Sequence, residues 1–156
     1  MPPAALLLID MQKAFTTGSW ANHFGGPKEV EDIERAGQEA VQLLRSGRLK
    51  GMPILCTKCY LSRSEDEPYL DILEPFLRDA NCIHKPTMDV TSNPAFFRWL
   101  RTQVQHLGRY SMEPRGLRQG VEVLVIGGCT TTSCVRVSST EIAAQLEAGK
   151  VLKRRT

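Results

Sequence analysis

The sequence has no apolar run approaching the ~20 residues that span a bilayer; its longest, Ala4–Ile9 and 121–126 (VEVLVI), are strand-sized. No basic, apolar leader with a cleavage site precedes the first run, so no membrane association and a cytoplasmic protein are expected. There is no Asn-x-Ser/Thr sequon. Charge of one sign is nearly balanced, 20 Lys and Arg against 17 Asp and Glu, and a scattered excess of +3 argues against a nucleic-acid partner. The one dense basic cluster, Lys150, Lys153, Arg154 and Arg155, reads as a solvated tail. Five cysteines is an odd count, which favours free thiols over a disulfide framework. Cys56-x-x-Cys59 has no second pair at matching spacing, and it follows a strand where a redox pair would open a helix. His23, His84 and His106 lie far apart and match no metal-binding helix pattern. No metal is therefore expected.

The 156 residues, 42% hydrophobic and 24% charged, suit one folded domain over residues 1–156, with no repeat and no linker. Residues 4–9 (ALLLI at the core of the run) have the continuous apolarity of a strand buried on both faces. A Gly-rich aromatic loop follows over 16–26, and Pro27 opens a helix whose face carries Val30, Ile33, Gly37, Ala40, Val41 and Leu44 up to Ser46-Gly47. Further strands are expected at 53–57 (PILCT), Asn81–Lys85 and 121–126, with a polar loop at 62–67 between the first two. Asn93-Pro94 is a cap followed by a first-turn proline; Phe96, Phe97, Leu100, Val104 and Leu107 form the next helical face before Gly108. A last helix is expected from about 133 to 148, and 150–153 opens one more strand. Strands alternating with helices predict an α/β fold: three layers, α/β/α, around a mostly parallel central sheet.

In such sheets chemistry collects at the carboxyl ends of the strands. Asp10 and Lys85 fall at two of those ends, and Cys134 follows the fourth strand at a helix start. Helix N-termini carry unpaired N–H groups and partial positive charge, which favour a thiolate and can hold an oxyanion. A neighbouring lysine would lower the thiol pKa further, and a carboxylate could take its proton. Each residue alone has a plain structural role; their coincidence at one sheet edge points to nucleophilic catalysis.

These residues resemble the isochorismatase-like cysteine hydrolases. Asp10-Met11-Gln12 with Phe15 is similar to that family's D-x-Q-x-x-F start, and Lys85 followed by Asn93-Pro94-Ala95-Phe96-Phe97 resembles its lysine strand and helix entrance. The stretch 128–136 (GCTTTSCVR) is the most specific and is closest to the N-carbamoylsarcosine amidase branch. The resemblance implies Asp10, Lys85 and Cys134 as a catalytic triad. It implies a non-proline cis peptide before Thr130, and an oxyanion held by the N–H groups of Thr130 and Cys134. Phe15 and Trp20, and with them Phe24, would line the substrate pocket or anchor the loop. Arg136 would meet a substrate carboxylate or lie solvated on the helix. Cys129 reads as a packed neighbour of the nucleophile.

The implied activity is amide or ureido hydrolysis of a small molecule through a thioester, without organic cofactor, in a homo-oligomer. The implied alternatives are an isochorismatase-type hydrolase and a non-catalytic binding module. Residues 59–63 (CYLSR) lack the histidine of the nicotinamidase metal motif, Thr131-Thr132 stands where Thr-Asp is frequent, and 105–120 is longer than the connection expected there. Relatives continue beyond the position of Thr156, so a sheet short of its last strand or strands is expected.

Overall fold

The computed structural model describes residues 4–18, 20, 21, 23, 25–49, 51–59, 68–109, 123–130 and 133–147. Four strands, β1 (Ala4–Ile9), β2 (Ile54–Cys59), β3 (Asn81–Lys85) and β4 (Val123–Gly128), form one sheet in the order β3-β2-β1-β4. Every pairing is parallel, with Leu8 opposite Cys56, Cys59 opposite Lys85 and Ile9 opposite Gly128. The helices are α1 (Pro27–Leu49), α2 (Glu74–Leu77), α3 (Pro94–Arg109) and α4 (Cys134–Glu147).

Alternation along β1 builds the layers, because successive side chains of a strand point to opposite faces. Leu6 and Leu8 pack with Ile33, Ala40 and Leu44 of α1 and with Leu73 and Leu77 beside α2. Ala5, Leu7 and Ile9 pack with Phe96, Trp99 and Leu100 of α3 and with Ile142 of α4. An apolar strand with both faces covered is the α/β/α arrangement the sequence predicts.

Several boundaries differ from the sequence expectation. The first long helix continues through Gly47 to Leu49, and α3 passes Gly108 to Arg109. One glycine costs a helix only ~1 kcal/mol, too little to force a stop. β2 extends two residues further, to Cys59. The four-residue α2 was not expected, although Leu70, Leu73 and Leu77 are helix-spaced and buried. The expected loop over 62–67, the segment 110–120, the strand at 150–153, the basic tail, Phe24 and Thr131-Thr132 lie outside the described residues, as does the side chain of His106. No helix among the described residues is long and apolar enough to cross a membrane.

Gly128 is where β4 meets β1 most closely. Its φ is 137°, and a Cβ there would stand 2.1 Å from the Ile9 carbonyl oxygen. Next to it the Cys129 N–H donates to that same oxygen at 2.8 Å. Gly128→Ala is therefore expected to force the strands apart and to destabilise the fold by several kcal/mol, on the order of the largest single-site effects, as read by the midpoint of urea unfolding. An unchanged midpoint would contradict this close approach.

Candidate active site

Asp10 directly follows β1 and is fully buried. Its φ of 52° turns the chain out of the sheet, a left-handed conformation that aspartate tolerates better than most residues. Thr57, buried in β2, donates its hydroxyl to Asp10 Oδ1 at 2.6 Å, and the Asp10 N–H is shared between the Thr57 carbonyl and hydroxyl, both at 3.2 Å. The carboxylate is thus aimed by a neighbouring strand. Gln12 does similar work one step on: its Oε1 accepts the Cys59 N–H at 2.9 Å and its Nε2 donates to the Cys59 carbonyl at 3.3 Å.

Lys85 ends β3, two strand spacings from β1, about 9.6 Å away. Only a long side chain closes that gap. Its Nζ lies 2.6 Å from Asp10 Oδ2, with both side chains wholly buried, and it donates to the Thr87 carbonyl at 3.2 Å. Burial alone would lower the Lys85 pKa, but the Asp10 charge and hydrogen bonding override it, so the net direction is upward from 10.5. The ammonium is held charged inside the protein.

Cys134 opens α4 after a turn in which the Ser133 and Val135 N–H groups donate to the Thr130 carbonyl, at 3.2 and 3.1 Å. The Thr130 and Ser133 hydroxyls are hydrogen-bonded to each other. The Cys129–Thr130 peptide is cis and non-proline, as the family resemblance implies. The Cys134 sulfur interacts with both the Asp10 carboxylate and the Lys85 ammonium. The depressed thiol pKa expected from the helix N-terminus is not what this setting produces. Burial and the Asp10 charge push the Cys134 thiol up from 9.0, and Lys85 only partly opposes them. The Asp10 carboxylate thus opposes ionisation of the Cys134 thiol and the Lys85 ammonium favours it.

Of the other cysteines, Cys82 is exposed on β3, Cys59 is half-buried and lines a cavity together with Cys134, and Cys56 and Cys129 are buried. Cys129 is buried against Met11, and its thiol is pushed up to about 12, chiefly by desolvation. Cys59 is likewise pushed up to about 12 by burial and then by Asp10, while its thiol contacts Gln12 Oε1 at 3.4 Å. Cys56 is buried in the core.

A cavity of about 230 Å³ opens over Cys134 and Lys85, walled by Phe15, Trp20 and Met88. Thr130 and Ser133 line it as well. Arg136 is exposed and does not line it, since two residues along a helix rotate a side chain about 200°. His23 packs its ring on Trp20, at 4.7 Å between centroids, and neither His23 nor His84 lines the cavity.

Sequence reasoning missed Thr57, Gln12's clamp and Ser138. A threonine near the end of an otherwise apolar strand was the available signal for the first. Ser138, one turn beyond Cys134 and fully buried, accepts the Val90 N–H at 3.0 Å and donates to the Met88 carbonyl at 3.1 Å. It thereby ties the cysteine helix to the loop whose Thr87 carbonyl holds Lys85. Ser138→Ala leaves the Val90 N–H and Met88 carbonyl without this partner, and a loss of about 1–3 kcal/mol is expected in chemical denaturation. A loss below 0.5 kcal/mol, the size of an ordinary surface change, would show the tie to be dispensable.

The family pattern that this chain matches is that of the isochorismatase domain, over residues 4–145. The chain belongs to the isochorismatase family. Among curated proteins nothing matches it. Among solved structures it is similar to an isochorismatase from Pseudomonas putida KT2440, at 19% identity and TM-score 0.63, covering 91% of this chain and 64% of that one. It is similar to YcaC of Escherichia coli, an octameric hydrolase of unknown specificity, at 18% identity and TM-score 0.59, covering 92% and 58%. It is also similar to N-carbamoylsarcosine amidase from Thermoplasma acidophilum, at 14% identity and TM-score 0.63, covering 93% and 78%. The TM-scores establish a shared fold. The chain spans less than two thirds of the length of the first two.

Proposed function

We propose that this isochorismatase-family chain is a cysteine-dependent amidohydrolase that cleaves the C–N bond of a small linear amide or N-carbamoyl compound. In this reading the Cys134 sulfur attacks the carbonyl carbon while its proton passes to Asp10, which matches a thiol held neutral until substrate arrives. The carbonyl oxygen, now an oxyanion, is received by the N–H groups of Thr130 and Cys134; one such donor is typically worth ~3 kcal/mol of barrier. Lys85 holds Asp10 and the developing thiolate in register. As the tetrahedral intermediate collapses, Asp10 returns the proton to the nitrogen, ammonia or an amine leaves, and a thioester to Cys134 remains. Water then attacks the thioester, giving up its proton to Asp10 and regenerating the thiol. No step calls for an organic cofactor or a metal.

The observation that carries the reading is the wholly buried Asp10–Lys85 ion pair, 2.6 Å long, set against a thiol on a cavity wall. Burying two charges has a large desolvation cost, and a packed apolar pair would hold the sheet at least as well. The GCTTTSCVR turn favours a cysteine amidase, and the fold is one that an N-carbamoylsarcosine amidase also has. The octameric YcaC supports a homo-oligomer, and a cytoplasmic location is part of the same proposal. The test is ammonia release from a panel of short aliphatic amides, ureido compounds and nicotinamide. Steady release with at least one linear member is expected, and a mass increment on Cys134 under rapid acid quench. Silence across the whole panel, with the protein folded, would falsify the amidohydrolase reading.

A further inference from the structure

The cavity wall adds a substrate class to the proposed function, and that assignment rests on the amidohydrolase reading. Phe15, Trp20, Pro86 and Met88 supply apolar surface around the Cys134 sulfur. Lys85 is the one charged side chain among the described residues that line the cavity. Its ammonium is already paired with Asp10 Oδ2 at 2.6 Å and donates to the Thr87 carbonyl at 3.2 Å, so its charge is balanced inside the protein before any ligand enters. The Thr130 and Ser133 hydroxyls share one hydrogen bond, so the pair can offer a ligand at most one neutral O–H and no positive charge. Arg136, the cation that the sequence offers for a substrate carboxylate, stands outside. A ligand carboxylate entering here would shed water and find the lysine already neutralised by Asp10. Burial of an unpaired charge is strongly disfavoured, whereas a neutral chain gains from the same apolar wall.

We infer that the site selects an uncharged substrate, a primary amide or carbamoyl group on a short apolar chain, and discriminates against N-carbamoyl amino acids and other carboxylate-bearing amides. Met88 is the residue best placed to tune that choice: it lines the cavity, is 54% exposed and takes no part in the proton transfers.

Two alkylating agents of matched size read this without turnover. The full-length protein is treated briefly with iodoacetamide or iodoacetate, and each cysteine peptide is quantified by mass. Cys82, an exposed residue whose sulfur accepts the Tyr69 hydroxyl at 3.0 Å, is the internal reference outside the cavity. The amide-to-acid rate ratio at Cys134 is expected to exceed that at Cys82 by at least about tenfold, and Met88→Lys is expected to erase most of the difference. A Cys134 ratio equal to or below the Cys82 ratio overturns the inference. In turnover, butyramide is expected to surpass succinamate in kcat/KM by a similar or larger factor, and the reverse order overturns it too. Because alkylation needs no hydrolysis, a Cys134 ratio above that of Cys82 supports the inference even if every amide yields no ammonia. That silence would count against the amidohydrolase reading alone.

Discussion

Cys134→Ala is expected to reduce ammonia release by a factor on the order of 10⁴ or more while leaving the urea midpoint nearly unchanged. The size follows from what the sulfur does: without a nucleophile no thioester forms, and removal of a nucleophile in a comparable acyl-transfer site costs about 10⁶ in kcat. The small stability effect follows from its position, half-buried at a cavity wall and at the margin of the core that β1 forms with α3 and α4. Cys129→Ala is the control. That thiol is buried against Met11 and held at about 12, so its loss is expected to reduce stability through lost packing and to spare turnover per folded molecule. Activity that survives Cys134→Ala and vanishes with Cys129→Ala would move the nucleophile to the wrong side of the turn for this mechanism.

The second large effect concerns the ion pair. Lys85→Met keeps most of the side-chain volume but leaves the Asp10 carboxylate buried without its cation, and a loss of about 3–5 kcal/mol is expected. Asp10→Asn in the same chain removes the orphaned charge and can still accept the Thr57 hydroxyl. The double variant Asp10→Asn, Lys85→Met is therefore expected to recover most of the lost stability and none of the activity, which separates function from folding. The sign of the pH dependence follows from Lys85. Its folded pKa lies above its unfolded value, so the stabilisation is fully present below about 10.5 and is lost as pH rises through the folded value. The gap between wild type and Lys85→Met in urea unfolding should thus be constant from neutral pH to about 9.5 and narrow at higher pH. A gap that grows with pH, or a double variant no more stable than Lys85→Met, would show that the pair does not carry this charge balance.

How far each of these residues was readable depends on the range of the interaction that places it. The unbroken apolarity of Ala4–Ile9, the Asn93-Pro94 helix start and the apolar spacing on α1 are local signals, and the elements formed where they point. Asn93 shows why: its Oδ1 accepts the Ala95 N–H at 2.9 Å, a bond between residues two apart that needs no other part of the fold. Helix ends at glycine differ from expectation because a local preference of ~1 kcal/mol is too small to end a helix by itself. The short α2 escaped because four residues carry too little periodicity to stand out. Thr57 and Ser138 escaped for a different reason. Their partners lie 47 and 48 or more residues away; Thr57 at the end of an apolar strand is a visible signal, but the flanking sequence does not say which group either hydroxyl will meet.

By itself, the sequence determined the class of fold and the chemical types available: apolar runs that must be buried on both faces, and an acid, an amine and a thiol at the ends of such runs. Only the tertiary structure decided the strand order β3-β2-β1-β4, which sets Lys85 two strands from Asp10 and so turns two separate strand ends into one ion pair. It also decided that the Cys134 thiol pKa moves up and not down, because burial and the field of a nearby charge are properties of the packed assembly, and no residue carries them in its own neighbourhood of the chain.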